Sequence, residues 1–330
     1  RITLEDVYQI SMRALQANGA DERNAEEISR VIWAAERDGC HSHGLFRLPW
    51  YIGTLRKGRA NGAAQPRVED VTPAIVRVNA NDGFAPLAFK VGTDPLVERA
   101  RSEGMAALAI VQCQHIGALW YETTLVAEQG LVALAMTSAK PMVAPAGGTK
   151  PFFGTNPLAF AWPRVDKPPM VFDMATAAMA RGEIQIAARD GHRVPEGAGI
   201  DADGNPTTDP NAILAGAQLA FGGTKGALLA LMVELMVGPM LGQPFSVEQA
   251  ADAAVDDGTA IGGEFVLAID PVRLSGNDGA LDHGERLFEA LLAQEGTRLP
   301  GDRRYNVRDG NHRDGVEIPT ELYETIMQFA

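Results

Sequence analysis

The stretch that decides the fold is GMAALAIVQCQHIGALWYETTLVAE, residues 104–128. Residues 105–111 form a continuous apolar run after Gly104, which predicts a buried β-strand. A helical pattern follows at residues 121–128, after a polar segment that contains His115. A buried strand followed at once by a helix predicts an α/β core.

The pattern extends outward from this stretch in both directions. The first forty residues predict two amphipathic helices, the first capped by Thr3 and Asp6. A helix that is apolar nearly all round is expected at residues 227–238, in a central position, and residues 190–210 and 298–308 are expected to form loops. Further buried strands are predicted at residues 74–78, 131–136, 158–162, 170–172 and 265–269, with helices between some of them.

Composition and charge exclude several classes of protein. The 330 residues are 46% hydrophobic and 22% charged, which is typical of a globular protein and excludes a disordered chain or a coiled coil. The net charge of −13, without a Lys/Arg-rich block, argues against nucleic acid as a partner. The longest apolar stretch is interrupted by Glu234 and Pro239, so no membrane span is expected. Two cysteines and no visible signal peptide favour free thiols and a cytoplasmic location.

His41-Ser42-His43-Gly44 is the densest polar cluster, and Arg47 follows one helical turn later. One imidazole could exchange a proton while the serine hydroxyl relays it, and Arg47 could hold a carboxylate by a two-pronged contact. A capping loop with solvated histidines is the alternative interpretation. Two histidines could also bind a metal, but a third ligand is not evident nearby, and we expect none.

Several other segments could bind an anionic ligand in this acidic chain. His115 follows a buried strand, and the ends of strands are where open α/β sheets bind ligands. Lys225 opens the long apolar helix after Gly222 and Gly223, where a cation opposes the helix dipole and so needs a reason. A core histidine, ordinary turns and solvated charges are the alternative explanations of these segments. The other candidates are the turn 153–157, the strand–helix junction 173–176 and the pair Arg303-Arg304.

These motifs together, in this order, resemble the malate/L-lactate dehydrogenase family of the non-Rossmann type, over essentially the whole chain. The usual dinucleotide fingerprint G-x-G-x-x-G is absent, as that resemblance implies. Within the family the chain is most similar to the Δ1-piperideine-2-carboxylate/Δ1-pyrroline-2-carboxylate reductases, through Ala118-Leu119-Trp120, residues 182–189 and residues 298–305. Glu183, where the subgroup often has Asp, and Thr224, where His is common, are departures.

The resemblance implies a fold, a reaction and a partner. It implies an α/β cofactor lobe, residues 71–225, beside a mainly helical lobe that carries the catalytic loop, residues 1–70 and 226–330. The expected reaction is NADPH-dependent reduction of cyclic imino acids to L-pipecolate or L-proline, with NADH as a weaker cofactor, by a homodimer. The lobes and the dimer are properties of the family.

The resemblance also implies roles for individual residues. His43 would donate the proton, with Ser42 and Glu183 as its relay. The substrate pocket would be formed by Arg47, which holds the substrate carboxylate, with Thr155, Arg181 and Gly182. The cofactor would be held by four segments: His115, Ile116, Gly117, Ala118 and Leu119; Asp173, Met174 and Ala175; Thr224 and Lys225; and Gly301, Asp302, Arg303, Arg304 and Tyr305.

Three other readings stay open. A 2-hydroxy-acid dehydrogenase on the same scaffold would use His115 as its catalytic base. A metal-dependent lyase or hydrolase would use His41, His43 and His115 together. A non-catalytic binding protein would need none of these groups.

Overall fold

A computed structural model describes residues 1–249 and 261–330. Its centre is a seven-stranded sheet in the order β1-β2-β3-β10-β4-β5-β6. Only β2 and β3 are parallel; the other neighbouring pairs are antiparallel. The strands are β1 (Arg67–Thr72), β2 (Ile75–Asn79), β3 (Met105–Gln114), β4 (Val132–Thr137), β5 (Leu158–Arg164), β6 (Lys167–Met174) and β10 (Ile261–Ile269).

Helices cover both faces of this sheet and build a second core beside it. The helices are α1 (Leu4–Ala17), α2 (Glu22–Arg37), α3 (Leu48–Arg56), α4 (Ala85–Glu103), α5 (Leu119–Ala127), α6 (Arg181–Asp190), α7 (Pro210–Ala215), α8 (Thr224–Val237), α9 (Pro271–Ser275), α10 (Ala280–Leu292), α11 (Asp302–Asp314) and α12 (Thr320–Met327). Helices α4 and α5 pack on one face of the sheet and α8 on the other. The second core joins α1, α2 and α3 to Val316 and Ile326 near the C-terminus.

The mixed α/β fold and its first two helices confirm the prediction. Thr3 and Asp6 form a capping box at the start of α1, in which each side chain accepts the backbone N–H of the other residue. None of the helices in the described ranges is long and apolar enough to cross a membrane.

Strand β10 is the main difference from the predicted division of the chain. It comes from the segment assigned to the mainly helical lobe, yet it lies in the middle of the sheet between β3 and β4. Its run Phe265-Val266-Leu267 is apolar, and burial between two neighbours satisfies both its side chains and its backbone. The assignment of residues 226–330 to the helical lobe is therefore wrong for this strand.

Two predicted loops contain regular structure. Residues 190–210 contribute β7 (Gly199–Ile200) and β8 (Pro206–Thr207) to a small sheet with β9 (Ala217–Gln218). Residues 302–308 belong to α11, which is mostly polar and so shows no apolar stripe. Gly301 starts this helix in the left-handed conformation, and Asp302 Oδ2 accepts the Leu299 N–H at 2.9 Å.

The predicted central position of α8 is also wrong. Ala230 and Val233 are buried against the sheet side, but Leu228 and Leu235 on the same helix are 60% and 51% exposed. An all-round apolar helix therefore buries only one face within the described part of the chain.

Candidate active site

The His41-Ser42-His43 segment is a single 3-10 turn after α2. Glu36, in the last turn of α2, holds this 3-10 turn in place. One carboxylate oxygen of Glu36 accepts the Leu45 N–H at 2.8 Å, and the other lies 2.8 Å from His41 Nδ1. This hydrogen bond raises the pKa of His41. His41 therefore anchors the turn.

Gly44 is required by this arrangement. A Cβ at this position would overlap the Glu36 carboxylate, which is buried. Because the clash is with the group that orders the turn, only glycine allows the chain to pass this close.

Ser42 and His43 contact each other at the inner side of the turn. Ser42 Oγ and His43 Nδ1 are 3.0 Å apart. Burial, together with the positive charge of Arg47 and the neighbouring His115, lowers the pKa of His43 to about 3. His43 is therefore neutral at neutral pH in the ligand-free protein.

Arg47 is held beside this pair by a hydrogen bond and a ring contact, and Gly182 packs closely against it. Its Nε donates to the Ser42 carbonyl oxygen at 2.8 Å, and its guanidinium lies 5.0 Å from the ring centroid of Trp50. A Cβ on Gly182 would lie 2.9 Å from Arg47 Nη2 and 3.3 Å from Ser42 Cβ. The first turn of α6 thus packs against the His41–His43 turn, and the structure brings Ser42, His43, Arg47 and Gly182 together.

Glu183 differs from its predicted neighbours. Its side chain is exposed, and within the described residues it makes no hydrogen bond to Ser42 or His43. Its relay role stays a prediction that requires a different side-chain position.

The Thr155 segment connects the sheet to the start of α8. The Thr155 carbonyl oxygen accepts from the Thr176 N–H at 2.9 Å, and the Thr176 carbonyl oxygen accepts from the Phe221 N–H at 3.0 Å. Asn156 donates to Glu234 of α8 at 2.8 Å. These backbone hydrogen bonds link Thr155, through Thr176, to the segment that leads into α8. The exposed residues Thr224 and Lys225 begin this helix after two glycines with positive φ.

His115, in the loop between β3 and α5, lies against two buried carboxyl groups. His115 Nε2 is 3.3 Å from Glu122 Oε1 and 3.7 Å from Glu264 Oε2. Burial raises the pKa of Glu122 to about 7 and that of Glu264 well above its ordinary value. This environment is the electrostatic opposite of that of His43.

Asp173, at the end of β6, meets the same loop. Its Oδ2 accepts the Trp120 N–H at 2.9 Å, so it caps α5, and burial raises its pKa to about 6. Arg304 of α11 also reaches this region, because its guanidinium lies 5.2 Å from the Trp120 ring centroid and donates to the Val171 carbonyl oxygen. Three of the four predicted cofactor segments therefore meet here.

The chemistry of these groups fits an anionic nicotinamide dinucleotide. Arg303 and Arg304, in the first turn of α11, line a cavity with Cys40 and Gly301. Cations and a helix N-terminus in a chain of net charge −13 suit phosphate groups. Among the contacts of the described residues, none joins Thr224 or Lys225 to Arg303 or Arg304.

The three histidines do not form a joint metal site. His41 faces Glu36, His43 faces Ser42, and the group of possible ligands found among the described residues contains only His115 with Glu122 and Glu264. This arrangement does not support a lyase or hydrolase that would use all three histidines on one metal.

Three buried carboxyl groups, Glu36, Glu122 and Glu264, were not among the predicted site residues. Each is a single acidic residue inside an otherwise apolar face or strand, and each is less than 4% exposed. A charged residue at a position that the pattern assigns to the core is the signal that would have found them.

The fold and this site define the class of the protein. The chain belongs to the malate/L-lactate dehydrogenase family, whose sequence model matches residues 2–327. Membership of this family of oxidoreductases implies a nicotinamide cofactor.

Particular relatives narrow the comparison. The chain is 46% identical over 329 residues to a Δ1-pyrroline-2-carboxylate/Δ1-piperideine-2-carboxylate reductase of Pseudomonas aeruginosa, covering 99% of this chain and 98% of that protein. It is 45% identical to a Δ1-pyrroline-2-carboxylate reductase of Ancylobacter novellus, covering 98% and 95%. The crystal structure of Δ1-piperideine-2-carboxylate reductase from Pseudomonas syringae superimposes with a TM-score of 0.93 at 40% identity, covering 100% and 99%.

Proposed function

We propose that this chain is a nicotinamide-dependent reductase of cyclic imino acids, converting Δ1-piperideine-2-carboxylate to L-pipecolate and Δ1-pyrroline-2-carboxylate to L-proline. The full-length similarity to reductases of these substrates supports the proposal. The observation that carries it is the position of Arg47, whose guanidinium is held beside His43 and against Gly182. A carboxylate bound by Arg47 would bring the neighbouring imine to His43.

Each group has a definite task in this proposal. Arg47 binds the substrate carboxylate, and Thr155, Arg181 and Gly182 line the pocket. The bound carboxylate offsets the Arg47 charge that helps to lower the pKa of His43, so the ring gains basicity when substrate binds. His43 then holds and donates the proton that the imine nitrogen needs, with Ser42 and Glu183 as the relay.

The cofactor of the proposed enzyme is NADPH. A reduced nicotinamide supplies the hydride when bound. The groups that would hold the cofactor are the His115–Leu119 loop, Asp173–Ala175, Thr224-Lys225 and the start of α11. The 2′-phosphate of NADPH would be bound by at least one of the cations Lys225, Arg303 and Arg304. We therefore expect a higher kcat/KM with NADPH than with NADH, and equal values would contradict this choice.

The test of the function is a substrate panel. NADPH oxidation is measured with the two cyclic imino acids beside pyruvate, oxaloacetate and related 2-keto acids. Turnover of the imino acids at a kcat/KM well above that of every keto acid supports the proposal, and the opposite order overturns it.

The second candidate is a 2-hydroxy-acid dehydrogenase, the activity for which the family is named. It would use His115 as the base, and the two carboxyl groups beside this histidine suit a ring that gains a proton. It predicts NAD reduction with malate, lactate or a similar alcohol.

The proposed enzyme is a homodimer. The apolar side chains of Leu228, Leu231 and Leu235 on α8, which the described part of the chain leaves exposed, support a buried interface there. Light scattering tests this: Leu231→Glu should shift a dimer toward monomer, and a monomeric parent protein would overturn it. The cytoplasmic location stays a prediction.

A further inference from the structure

The buried cluster around His115 contains two carboxyl groups that the proposed reaction does not use. Glu122 comes from α5, Glu264 from β10 and His115 from the loop after β3. Their ligand atoms lie within 4.8 Å of one another, and none of the three side chains is more than 7% exposed. Their burial requires a physical explanation, because isolated buried carboxylates are costly.

The backbone places Glu264 in this position through an irregular pairing. The register of β10 against β3 shifts between Gly262 and Glu264, and Gln112 on β3 has a φ of 53°. A bulge of this kind re-aims side chains and is common beside functional sites. Glu264 consequently points at Glu122 and His115 from the centre of the sheet.

The two carboxyl groups have too few partners to be both ionised. Glu122 Oε2 and both oxygens of Glu264 are buried without a hydrogen-bond partner among the described residues. The facing oxygens of the two carboxyl groups lie within 4.8 Å of each other, and because a carboxylate only accepts, one of the pair must carry a proton to supply a donor. The other titratable groups that face the pair are Asp173 beside Glu122, Cys113 beside both, and the Tyr51 phenol beside Glu122.

We propose that Glu122 and Glu264 share one proton and act as a positioning pair that fixes His115 as a hydrogen-bond donor from Nε2. His115 then keeps its Nδ1 as the nitrogen that accepts, and the ring is held in one orientation against the loop that leads into α5. This is the arrangement by which a carboxylate sets the tautomer of an adjacent imidazole. The effect on catalysis rests on the proposed function, in which His115 shapes the cofactor pocket.

The shared proton is tested without substrate. Infrared spectra of the full-length protein are recorded at about pH 8, where Asp173 is ionised. We expect the band of a protonated buried carboxylic acid, lost in both Glu122→Gln and Glu264→Gln. Glu27→Gln is the matched control, since burial also raises the pKa of this carboxyl group in a separate pocket between α2 and α4. A band that Glu264→Gln leaves unchanged overturns the pair.

The orientation of His115 is tested by nitrogen NMR of histidine-labelled protein. The chain has six histidines, so His115→Asn assigns the signal. We expect the Nε2–H form in the parent protein and a mixture of forms in Glu122→Gln. If the parent protein already shows a mixture, the positioning role is refuted.

Kinetics connects the pair to the reaction. Glu122→Gln should raise the KM for NADPH by about tenfold with a smaller change in kcat, and Glu122→Asp should recover part of the loss. An equal loss in both variants would indicate damage to packing and would contradict positioning. If the parent protein reduces no cyclic imino acid but shows both spectroscopic signatures, the proposed function fails and the pair stands.

A metal ion is the competing occupant of these three ligands. The protein is dialysed against a chelator and then titrated with Zn²⁺ alone. Stoichiometric uptake that removes the carboxylic acid band would assign a metal site and overturn the shared proton; no uptake supports it.

Discussion

His43 and His115 lie in opposite electrostatic environments. His43 is half-buried beside the Arg47 cation, which adds to desolvation in lowering its pKa to about 3, and its only hydrogen-bond partner among the described side chains is Ser42. His115 is buried beside two carboxyl groups whose own pKa values are raised. The His43 ring is therefore neutral until a bound anion offsets the Arg47 charge, whereas the His115 ring contacts two carboxyl groups. This contrast predicts that the two histidines have different tasks, although each stands in the sequence as a polar residue in a loop.

The largest expected effect separates these tasks. His43→Ala should lower kcat by about 10²–10⁴, the usual contribution of a positioned acid. His115→Ala should act mainly through the KM for NADPH. The measurement is steady-state kinetics with both cyclic imino acids, with cofactor binding followed by fluorescence. A nearly active His43→Ala beside an inert His115→Ala that binds NADPH normally would reverse the assignment and favour the 2-hydroxy-acid dehydrogenase.

The second-largest expected effect concerns Arg47, the cation that lies beside His43. Arg47→Lys should raise the substrate KM by about 10–100-fold, because an ammonium cannot reproduce the planar contact, a loss of about 1.5–3 kcal/mol. Arg56→Lys, at the end of α3 and over the Phe329 ring, is the control and should leave the substrate KM unchanged. An unchanged substrate KM in Arg47→Lys would show that Arg47 does not bind the carboxylate.

The elements of the fold were predictable where the signal is local. Apolar runs located β3 and β10, and the Thr3–Asp6 pair located the start of α1. Helix α11 was missed because its thirteen residues are mostly polar and carry no periodic apolar stripe, and it is held by distant partners such as Asp38, which pairs with Arg308. The place of β10 in the sheet depends on pairing with strands more than a hundred residues away, which no local pattern records.

The candidate site, like the fold, was predictable only in part. The resemblance named Ser42, His43, Arg47 and Gly182, and the structure brings these four together. It could not supply Glu36, Glu122 or Glu264, because each acts through a partner in another element. The environment that separates His43 from His115 is consequently a property of tertiary structure.

A third, smaller effect tests how the His43 turn is held. Glu36→Gln removes the charged acceptor of the Leu45 N–H and the partner of His41, a loss of about 1–3 kcal/mol of hydrogen bonding. We expect kcat to fall by about tenfold while the KM for NADPH, which depends on the His115 side, stays unchanged. Thermal unfolding measured in parallel shows whether the variant is folded at the assay temperature. A proportional change in both kinetic constants would contradict a local role.

The smallest expected effect is on stability, and its sign differs between the two regions. A carboxyl group with a raised pKa binds its proton more tightly in the folded state, so Glu122 costs stability as pH rises from its unfolded value toward about 7. A histidine with a lowered pKa binds its proton less tightly in the folded state, so His43 costs stability as pH falls from its unfolded value toward about 3. Replacing either group removes its own penalty.

The difference in Tm between variant and parent should therefore move in opposite directions. For Glu122→Gln it should become more positive between about pH 5 and pH 8, and for His43→Asn more positive between about pH 6 and pH 4. Each shift should amount to a few degrees, measured by calorimetry in buffers of constant ionic strength. Both variants also lose packing, which displaces each curve by a constant without changing its slope. Slopes of the same sign would mean that the two histidines do not differ in environment, and the contrast between proton donor and positioned partner would lose its physical basis.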